Sequence, residues 1–99
     1  MLEIHYRTNK LKKVCTNLIF ATKEYGIEMA DKIHIRIDQI KAADSVSELV
    51  RGNIGRCHPL HGDRQGQYSM DLVHPYRLVF IEEDEETVSV RIERIEDYH

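Results

Sequence analysis

The sequence predicts an α+β fold in which a curved antiparallel β-sheet packs against an N-terminal antiparallel pair of helices. Two observations carry this prediction. Apolar residues recur at helical spacing in the first half of the chain, and they alternate with polar residues in short stretches of the second half. The links between those stretches are short, which favours antiparallel pairing. With 99 residues in all, we expect residues 1–99 to form one domain with a modest core.

The first elements are a short strand and a long helix. Residues 2–6 alternate apolar and polar side chains, as a half-buried strand does. Thr8 is a suitable N-cap for the helix that follows, and Gly26 is placed to end it in the left-handed conformation. The stripe on one side of this helix comprises Leu11, Val14, Cys15, Leu18, Ile19 and Thr22.

A second helix begins near Ile27. So short a link between two helices predicts that they are antiparallel neighbours. The buried stripe of this helix comprises Ala30, Ile33, Ile37 and Ile40. Ser45 and Glu48 then form a capping-box signature, which predicts one short helical turn through Val50.

Three strands are predicted after the helices, at residues 67–73, 76–81 and 87–95. Residues 58–61 are a candidate short strand before them. In the last strand, Val88, Val90 and Ile92 are expected to face the core. The five acidic residues at 82–86 predict a solvated hairpin tip.

The net charge of −3 hides an uneven distribution. Residues 1–77 carry 12 Lys and Arg against 9 Asp and Glu, whereas residues 78–99 carry 2 against 8. Most of those last acids belong to the predicted hairpin tip. The overall sign therefore does not exclude a nucleic-acid ligand, because local patches decide such contacts.

Several classes of protein are not indicated. The longest apolar runs are four residues, so we expect neither a membrane-spanning helix nor a signal peptide. Cys15 and Cys57 do not suggest a disulfide framework, and a reducing cytoplasm is the expected location. No spacing of cysteine and histidine matches a zinc site, so no metal or other cofactor is expected.

Residues 55–77 are the most informative stretch. They hold three of the five glycines, both prolines and three of the six histidines. Neighbouring strands would let His58, Arg77 and the last residues of the chain converge on the concave side of the sheet. Imidazole and guanidinium groups there suit metal-free RNA cleavage, in which the 2′-OH attacks the neighbouring phosphate.

Each of these residues also has a plain structural interpretation. His58 could equally be a turn histidine before Pro59, and Arg77 could be a surface arginine paired with an acid. A terminal tripeptide such as 97–99 is usually frayed. The residues by themselves leave these alternatives open.

Three motifs resemble the HigB-type toxins of the RelE/ParE superfamily. They are His-Pro-Leu-x-Gly-Asp-Arg-x-Gly-Gln-Tyr-Ser from residue 58, Tyr-Arg-Leu-x-Phe from residue 76, and Asp-Tyr-His at 97–99. The resemblance runs from about residue 10 to residue 99. It implies a RelE/ParE-like fold and the toxin of a type II toxin–antitoxin pair, which cuts mRNA in the ribosomal A site and so stops translation.

The resemblance also implies roles for single residues. His58 would lie in the catalytic site, and Arg77 would contact the scissile phosphate. Asp97 would be an acid/base or orient a histidine, Tyr98 would stack on or hydrogen-bond a base, and His99 would be an acid or base. His61 stands where many members carry a lysine, which leaves that position only partly charged at pH 7.

The implied partners are the ribosome with its mRNA and a HigA-like helix-turn-helix antitoxin. Operator DNA would be bound only through the toxin–antitoxin complex. Besides His61, the candidate contacts to RNA or the ribosome are Lys10, Lys12, Lys13, Arg56 and Arg64. As isolated surface cations, these lysines and arginines are more often simply solvated.

Two other functions stay open beside this one. A ParE-like inhibitor of gyrase would have the same fold without the nuclease chemistry. A catalytically degenerate member would bind only its antitoxin and DNA as a co-repressor, and His61 in the usual lysine position is the feature that favours it.

Overall fold

Helices pack on one face of a five-stranded sheet in the computed structural model, which describes residues 1–84, 86 and 88–97. The helices are α1 (Asn9–Thr16), α2 (Leu18–Tyr25), α3 (Ile27–Ala42) and α4 (Val46–Arg51). The strands are β1 (Glu3–Tyr6), β2 (His58–Pro59), β3 (Gln67–Asp71), β4 (Tyr76–Asp84) and β5 (Ser89–Asp97). Short 3-10 turns at Ile54–Arg56 and Gly62–Arg64 flank β2. The predicted α+β class is confirmed.

The sheet is mixed, with the strand order β1-β5-β4-β3-β2. Strands β2 to β5 pair antiparallel, as their short links predicted. β1 instead runs parallel to β5, with Glu3 opposite Ser89. A parallel pair needs a crossover connection, and the whole chain between β1 and β5 provides it. The expectation of a wholly antiparallel sheet was therefore wrong for β1.

The single helix predicted after Thr8 is two helices, broken at Asn17. The Asn17 backbone is extended, and its side-chain oxygen accepts a hydrogen bond from the Phe20 amide at 3.0 Å, so Asn17 is the N-cap of α2. The break turns the predicted stripe away from the core beyond Cys15. Ile19 is consequently 72% exposed and Leu18 45% exposed.

The remaining helices follow the sequence pattern. Ala30, Ile33, Ile37 and Ile40 of α3 are buried as predicted. Gly26 ends α2 with φ +87° and ψ 162°, so its φ is positive as expected while its ψ is extended. α4 is capped as predicted, because the Ser45 hydroxyl accepts a hydrogen bond from the Glu48 amide at 3.1 Å. None of the helices in the described part of the chain is long and apolar enough to cross a membrane.

A bulge in β5 decides which of its side chains face the helices. Val79 pairs with Arg94 but Phe80 pairs with Ile92, so Glu93 is an extra residue on β5. Ile92 and Ile95 therefore both pack on the core although they are three residues apart. Val88, expected to point inward, is 37% exposed with φ +51°. The bulge sends Arg94 and Glu96 to the face of the sheet opposite the helices.

The core lies between the helices and one face of the sheet. The largest fully buried apolar side chains are Phe80, Ile33, Ile40, Leu49, Met70, Leu78 and Ile92, and every one of them contributes to this core. Cys15 and Cys57 are both buried as unpaired thiols. Burial in apolar surroundings raises the pKa of each thiol to about 12.

Candidate functional site on the outer face of the sheet

The sheet face opposite the helices, here called the outer face, carries polar and charged side chains. Strand register defines it by two rows, one of Ser69, Val79 and Arg94 and one of Asp71, Arg77 and Glu96. Each of these residues alternates with a core residue of the same strand. Ser69 and Val79 are fully buried although they do not belong to the core beneath the helices. The outer face is therefore itself partly covered by side chains.

Glu96 is the centre of an arginine cluster. Its Oε2 accepts hydrogen bonds from Nε of Arg77 at 2.8 Å and from Nη1 of Arg64 at 2.5 Å. Its Oε1 accepts from Nε of Arg94 at 2.6 Å and from Nη1 of Arg64 at 2.8 Å. Nη2 of Arg77 lies 2.7 Å from Oε2 as well. Three guanidinium groups from a turn and two strands thus meet on one carboxylate.

The carboxylate of Glu96 is strongly stabilised in its charged form. Partial burial by itself would raise its pKa, but hydrogen bonds from Arg64, Arg94 and Arg77 outweigh that effect and lower the pKa of Glu96 to about 2. The carboxylate stays ionised throughout the physiological range. Three arginines and one ionised carboxylate give the cluster a net charge of +2.

His58 lies in the next row, beside this cluster. β2 pairs His58 with Ser69, and its Nε2 lies 3.4 Å from the Ser69 hydroxyl. Its Nδ1 lies 2.8 Å from the carbonyl oxygen of Arg56. A carbonyl oxygen only accepts, so Nδ1 carries the hydrogen and donates. In the neutral ring, Nε2 is therefore unprotonated and able to accept a proton.

The 3-10 turn at Ile54–Arg56 leads directly into β2 and so helps to position His58. Gly55 has φ +57°, and a Cβ there would lie 2.7 Å from Nε of Arg36, so a larger residue would be strained and would have to displace the Arg36 side chain. Nε of Arg36 in turn donates to the backbone carbonyl of Asp71 at 2.7 Å. The Asp71 carboxylate pairs with Nε of Arg56 at 3.2 Å. The 3-10 turn before β2 is thereby tied to the end of β3, next to the arginine cluster.

The structure brings together some of the predicted site residues and separates others. His58, Arg56, Arg64 and Arg77 lie on or beside the outer face. Asp97 is opposite Tyr76 in the register and belongs to the other side of β5. Tyr98 and His99 lie outside the described residues. His61 is exposed at the start of the 3-10 turn that carries Arg64.

The three predicted lysines lie elsewhere. Lys10, Lys12 and Lys13 are all on α1, which packs its Val14 and Cys15 into the core beneath the sheet. Nζ of Lys10 lies 3.6 Å from a carboxylate oxygen of Glu24. Nζ of Lys13 lies 5.0 Å from the centre of the Phe20 ring. These lysines therefore belong to the helical side of the molecule.

Sequence reasoning missed Glu96, Arg94 and Ser69. The available signal was the charge alternation along β5 next to Arg77, but the extra residue Glu93 shifts that alternation by one position. Gln67 also belongs to the site, because its side-chain oxygen accepts from Nη2 of Arg94 at 2.8 Å. Among the described residues, no three His, Cys, Asp or Glu side chains are grouped so as to hold a metal ion.

Comparison with known proteins identifies the fold. No protein-family model and no curated protein sequence matches the chain. The solved structure of a YoeB/ParE toxin from Agrobacterium tumefaciens is similar, with a TM-score of 0.69 and 14% identity over 99% of this chain and 100% of that one. A YoeB–YefM complex from Staphylococcus aureus gives a TM-score of 0.65 and 20% identity over 100% and 98%. A YoeB dimer from the same organism gives 0.64 and 20% over 99% and 97%.

These likenesses extend over the whole of each chain, and at such low identity they establish the fold. The chain has the α+β fold of the YoeB/ParE toxins, which confirms the RelE/ParE-like fold expected from the motifs.

Proposed function

We propose that this chain is a single-domain toxin of a type II toxin–antitoxin pair, of the HigB type, which cuts mRNA on the ribosome and so stops translation. The observation that carries the proposal is the outer face, where His58 lies beside a cluster of three arginines. The YoeB/ParE-type fold and the three motifs in the sequence support the same assignment.

The chemistry needs no metal. The 2′-oxygen of a ribose attacks the adjacent phosphorus while a base takes its proton, and the bond from phosphorus to the 5′-oxygen breaks as an acid protonates that oxygen. The products are a 2′,3′-cyclic phosphate and a 5′-hydroxyl. Because Nε2 of His58 is unprotonated in the neutral ring, it suits the base that takes the proton from the 2′-oxygen. His99 is proposed to supply the group for the other oxygen and Tyr98 to contact the base, whereas Asp97, on the other side of β5, is proposed to orient a histidine.

Positive charge supports the transition state. As the 2′-oxygen attacks, negative charge builds up on the phosphate oxygens, and guanidinium forks match those oxygens in shape and charge. Arg77, only 14% exposed at its side chain, is fixed in orientation and suits this role. Arg56 and Arg64 are more exposed and suit contacts to the RNA backbone, with His61 beside them. Lys10, Lys12 and Lys13 on α1 are proposed to contact the ribosome.

A partner protein follows from the same assignment. One similar structure is a complex of YoeB with YefM, described as a toxin–antitoxin pair in a related structure from the same organism. By the same logic, this chain would be held inactive by an antitoxin in the bacterial cytoplasm, and the HigB-like motifs favour a HigA-like helix-turn-helix protein. That complex, rather than the toxin alone, would bind operator DNA.

Two other functions lack RNA cleavage: that of a co-repressor that only binds its antitoxin, and that of a ParE-like toxin that acts on gyrase. Two observations favour a function without cleavage: His61 stands in place of the usual lysine, and Asp97 lies on the other side of β5 from Arg77. Neither function needs an acid and a base. Toxicity that survives the change His58→Ala would therefore favour gyrase as the target.

The deciding experiment is a brief induction of the chain in bacteria, followed by mapping of new 5′ ends on two copies of one mRNA. One copy is translated, and the other lacks its start codon. Cuts inside codons of the translated copy only are the expected result, and the His58→Ala variant serves as the matched control. Growth arrest without any cuts would overturn the nuclease assignment.

A further inference from the structure

The arginine cluster on the outer face has a layered arrangement. The side chains of Glu96 and Arg77 are 13% and 14% exposed, whereas those of Arg94 and Arg64 are 32% and 44% exposed. Glu96 and Arg77 are therefore the more deeply buried members of the cluster, and Arg64 and Arg94 are the ones that face solvent. A ligand that arrives from solvent meets Arg64 and Arg94 first.

Arg64 and Arg94 keep most of their donors for such a ligand. A guanidinium group has five N–H donors. Arg94 donates from Nε to Glu96 and from Nη2 to Gln67. Arg64 donates to Glu96 from Nη1 alone. Glu96 and Gln67 thus accept only a minority of the donors of Arg64 and Arg94. The cluster can bind an anion without first releasing its own carboxylate.

The carboxylate of Glu96 also reduces the electrostatic repulsion among the three arginines. Three guanidinium groups that approach the same point repel one another, and without an anion between them their long side chains would spread into solvent. Glu96 offsets one of the three charges and ties a 3-10 turn to β4 and β5 through direct hydrogen bonds. The arginines are therefore held in place before any ligand arrives, and such preorganisation strengthens binding and catalysis.

We propose that Glu96 assembles Arg64, Arg77 and Arg94 into one binding site for a phosphate diester of RNA. Glu96 is a positioning residue in this site, since it acts through the arginines, and Arg94 joins Arg64 and Arg77 in contacting the phosphate. This inference rests on the proposed function for the identity of the ligand. The anion site itself follows from the contacts of Glu96.

The test compares Glu96→Gln with Glu93→Gln. Glu93 is a matched control, because it is also on β5, its side chain is 9% exposed, and it pairs with a different arginine, Nε of Arg91, at 2.7 Å. The first readout is the single-turnover rate of mRNA cleavage on programmed ribosomes at saturating protein. Glu96→Gln is expected to lower this rate about tenfold or more, and Glu93→Gln to leave it within about twofold.

The second readout needs no cleavage. A trinucleotide with 2′-O-methyl groups cannot be cut, and its binding to the isolated protein is followed by NMR of the arginine Nε–H signals. In the wild type, the signals of Arg77 and Arg94 are expected to be protected from exchange and to shift on titration. In Glu96→Gln the protection is lost, and the trinucleotide binds about fivefold or more weakly.

The outcomes separate the two proposals. If the wild type cuts and Glu96→Gln cuts equally fast, or binds the trinucleotide more tightly, the positioning role is overturned while the proposed function stands. If the wild type does not cut, the proposed function fails, and the trinucleotide titration alone decides the anion site. Absence of any shift in the wild type would then overturn it.

A further variant covers a failure to fold. Should Glu96→Gln unfold, Arg94→Lys keeps the charge but removes the planar fork. A cleavage rate that falls by about fivefold or more, with a normal circular dichroism spectrum, supports the three-arginine site. An unchanged rate in Arg94→Lys overturns it.

Discussion

Nε2 of His58 lies 3.4 Å from the Ser69 hydroxyl, because β2 and β3 place the two residues opposite each other. At the other side of the ring, Nδ1 donates to the carbonyl of Arg56 at 2.8 Å. The ring is thus oriented from both sides, and His58 as a whole is exposed. This is an arrangement in which a histidine exchanges protons with a bound ligand.

Replacing His58 by alanine is expected to reduce mRNA cleavage on ribosomes by about tenfold or more, since a general acid or base contributes that much or more to the rate. The fold should survive, because the side chain is exposed. His5→Ala is the matched control: His5 is an exposed histidine on β1, at the opposite edge of the sheet from β2. A folded His58→Ala protein with full activity would remove His58 from the mechanism.

Deletion of His99 is expected to leave the fold intact and to lower cleavage by about tenfold or more. His99 follows β5 in the chain and lies outside the described residues, whose core is formed without reference to it. Circular dichroism checks the fold, and single-turnover cleavage on ribosomes checks the activity. Wild-type rates in the shortened chain would show that the second proton transfer uses another group.

Glu96 makes the stability of the protein depend on pH. Its pKa is about 2 in the folded protein against an ordinary value of 4.5, so its stabilising effect is complete above about pH 4.5 and is lost as the pH falls towards 2. Urea unfolding should therefore show a gap in stability between the wild type and Glu96→Gln at pH 7 that narrows at about pH 3.5. A gap of constant size would mean that the charge of Glu96 contributes nothing.

The N-cap hydrogen bond at Asn17 should contribute measurably to the stability of the protein. Asn17→Ala removes the acceptor for the Phe20 amide and is expected to lower the free energy of unfolding by about 1 kcal/mol. Asn17→Asp keeps an acceptor at the same place and should remain close to the wild type. Urea unfolding of the three proteins measures both differences. An alanine variant as stable as the wild type would mean that α1 and α2 merge without penalty.

Both cysteines should be unreactive in the folded protein. Cys15 and Cys57 are each 2% exposed, and burial raises the pKa of each thiol to about 12, so almost no thiolate is present at neutral pH. A thiol reagent is expected to label neither cysteine in native buffer and both in urea. Labelling of Cys57 alone in native buffer would indicate that the segment before His58 opens locally.

Much of the fold could be predicted from the sequence, because burial imposes a period on each element. The stripe of α3 is determined by burial on one side of the helix, and its four predicted residues are buried. The break at Asn17 could not be seen in this way. Leu18 and Ile19 continue the apolar spacing of α1, and only the hydrogen bond from the Phe20 amide shows that the helix starts again.

The candidate site was predictable in part. His58 and Arg77 stand in a stretch rich in turn-forming residues, and that context pointed to them. Glu96 was missed because the position of a bulge depends on how two strands align, and alternation within one strand carries no record of it. The extra residue Glu93 moves Glu96, rather than Asp97, to the side of Arg77.

The parallel pairing of β1 with β5 limits how early the sheet can be completed while the chain is being synthesised. Among the described strands, β1 pairs only with β5, so the strand that is synthesised early has no partner until residues 89–92 have been made. Glu96, which gathers the three arginines, lies later still on β5. A nascent chain emerging from a ribosome therefore lacks the arginine cluster. If the target is the ribosome, the ribosome that makes this protein is protected from it until residue 96 has been made and has left the exit tunnel.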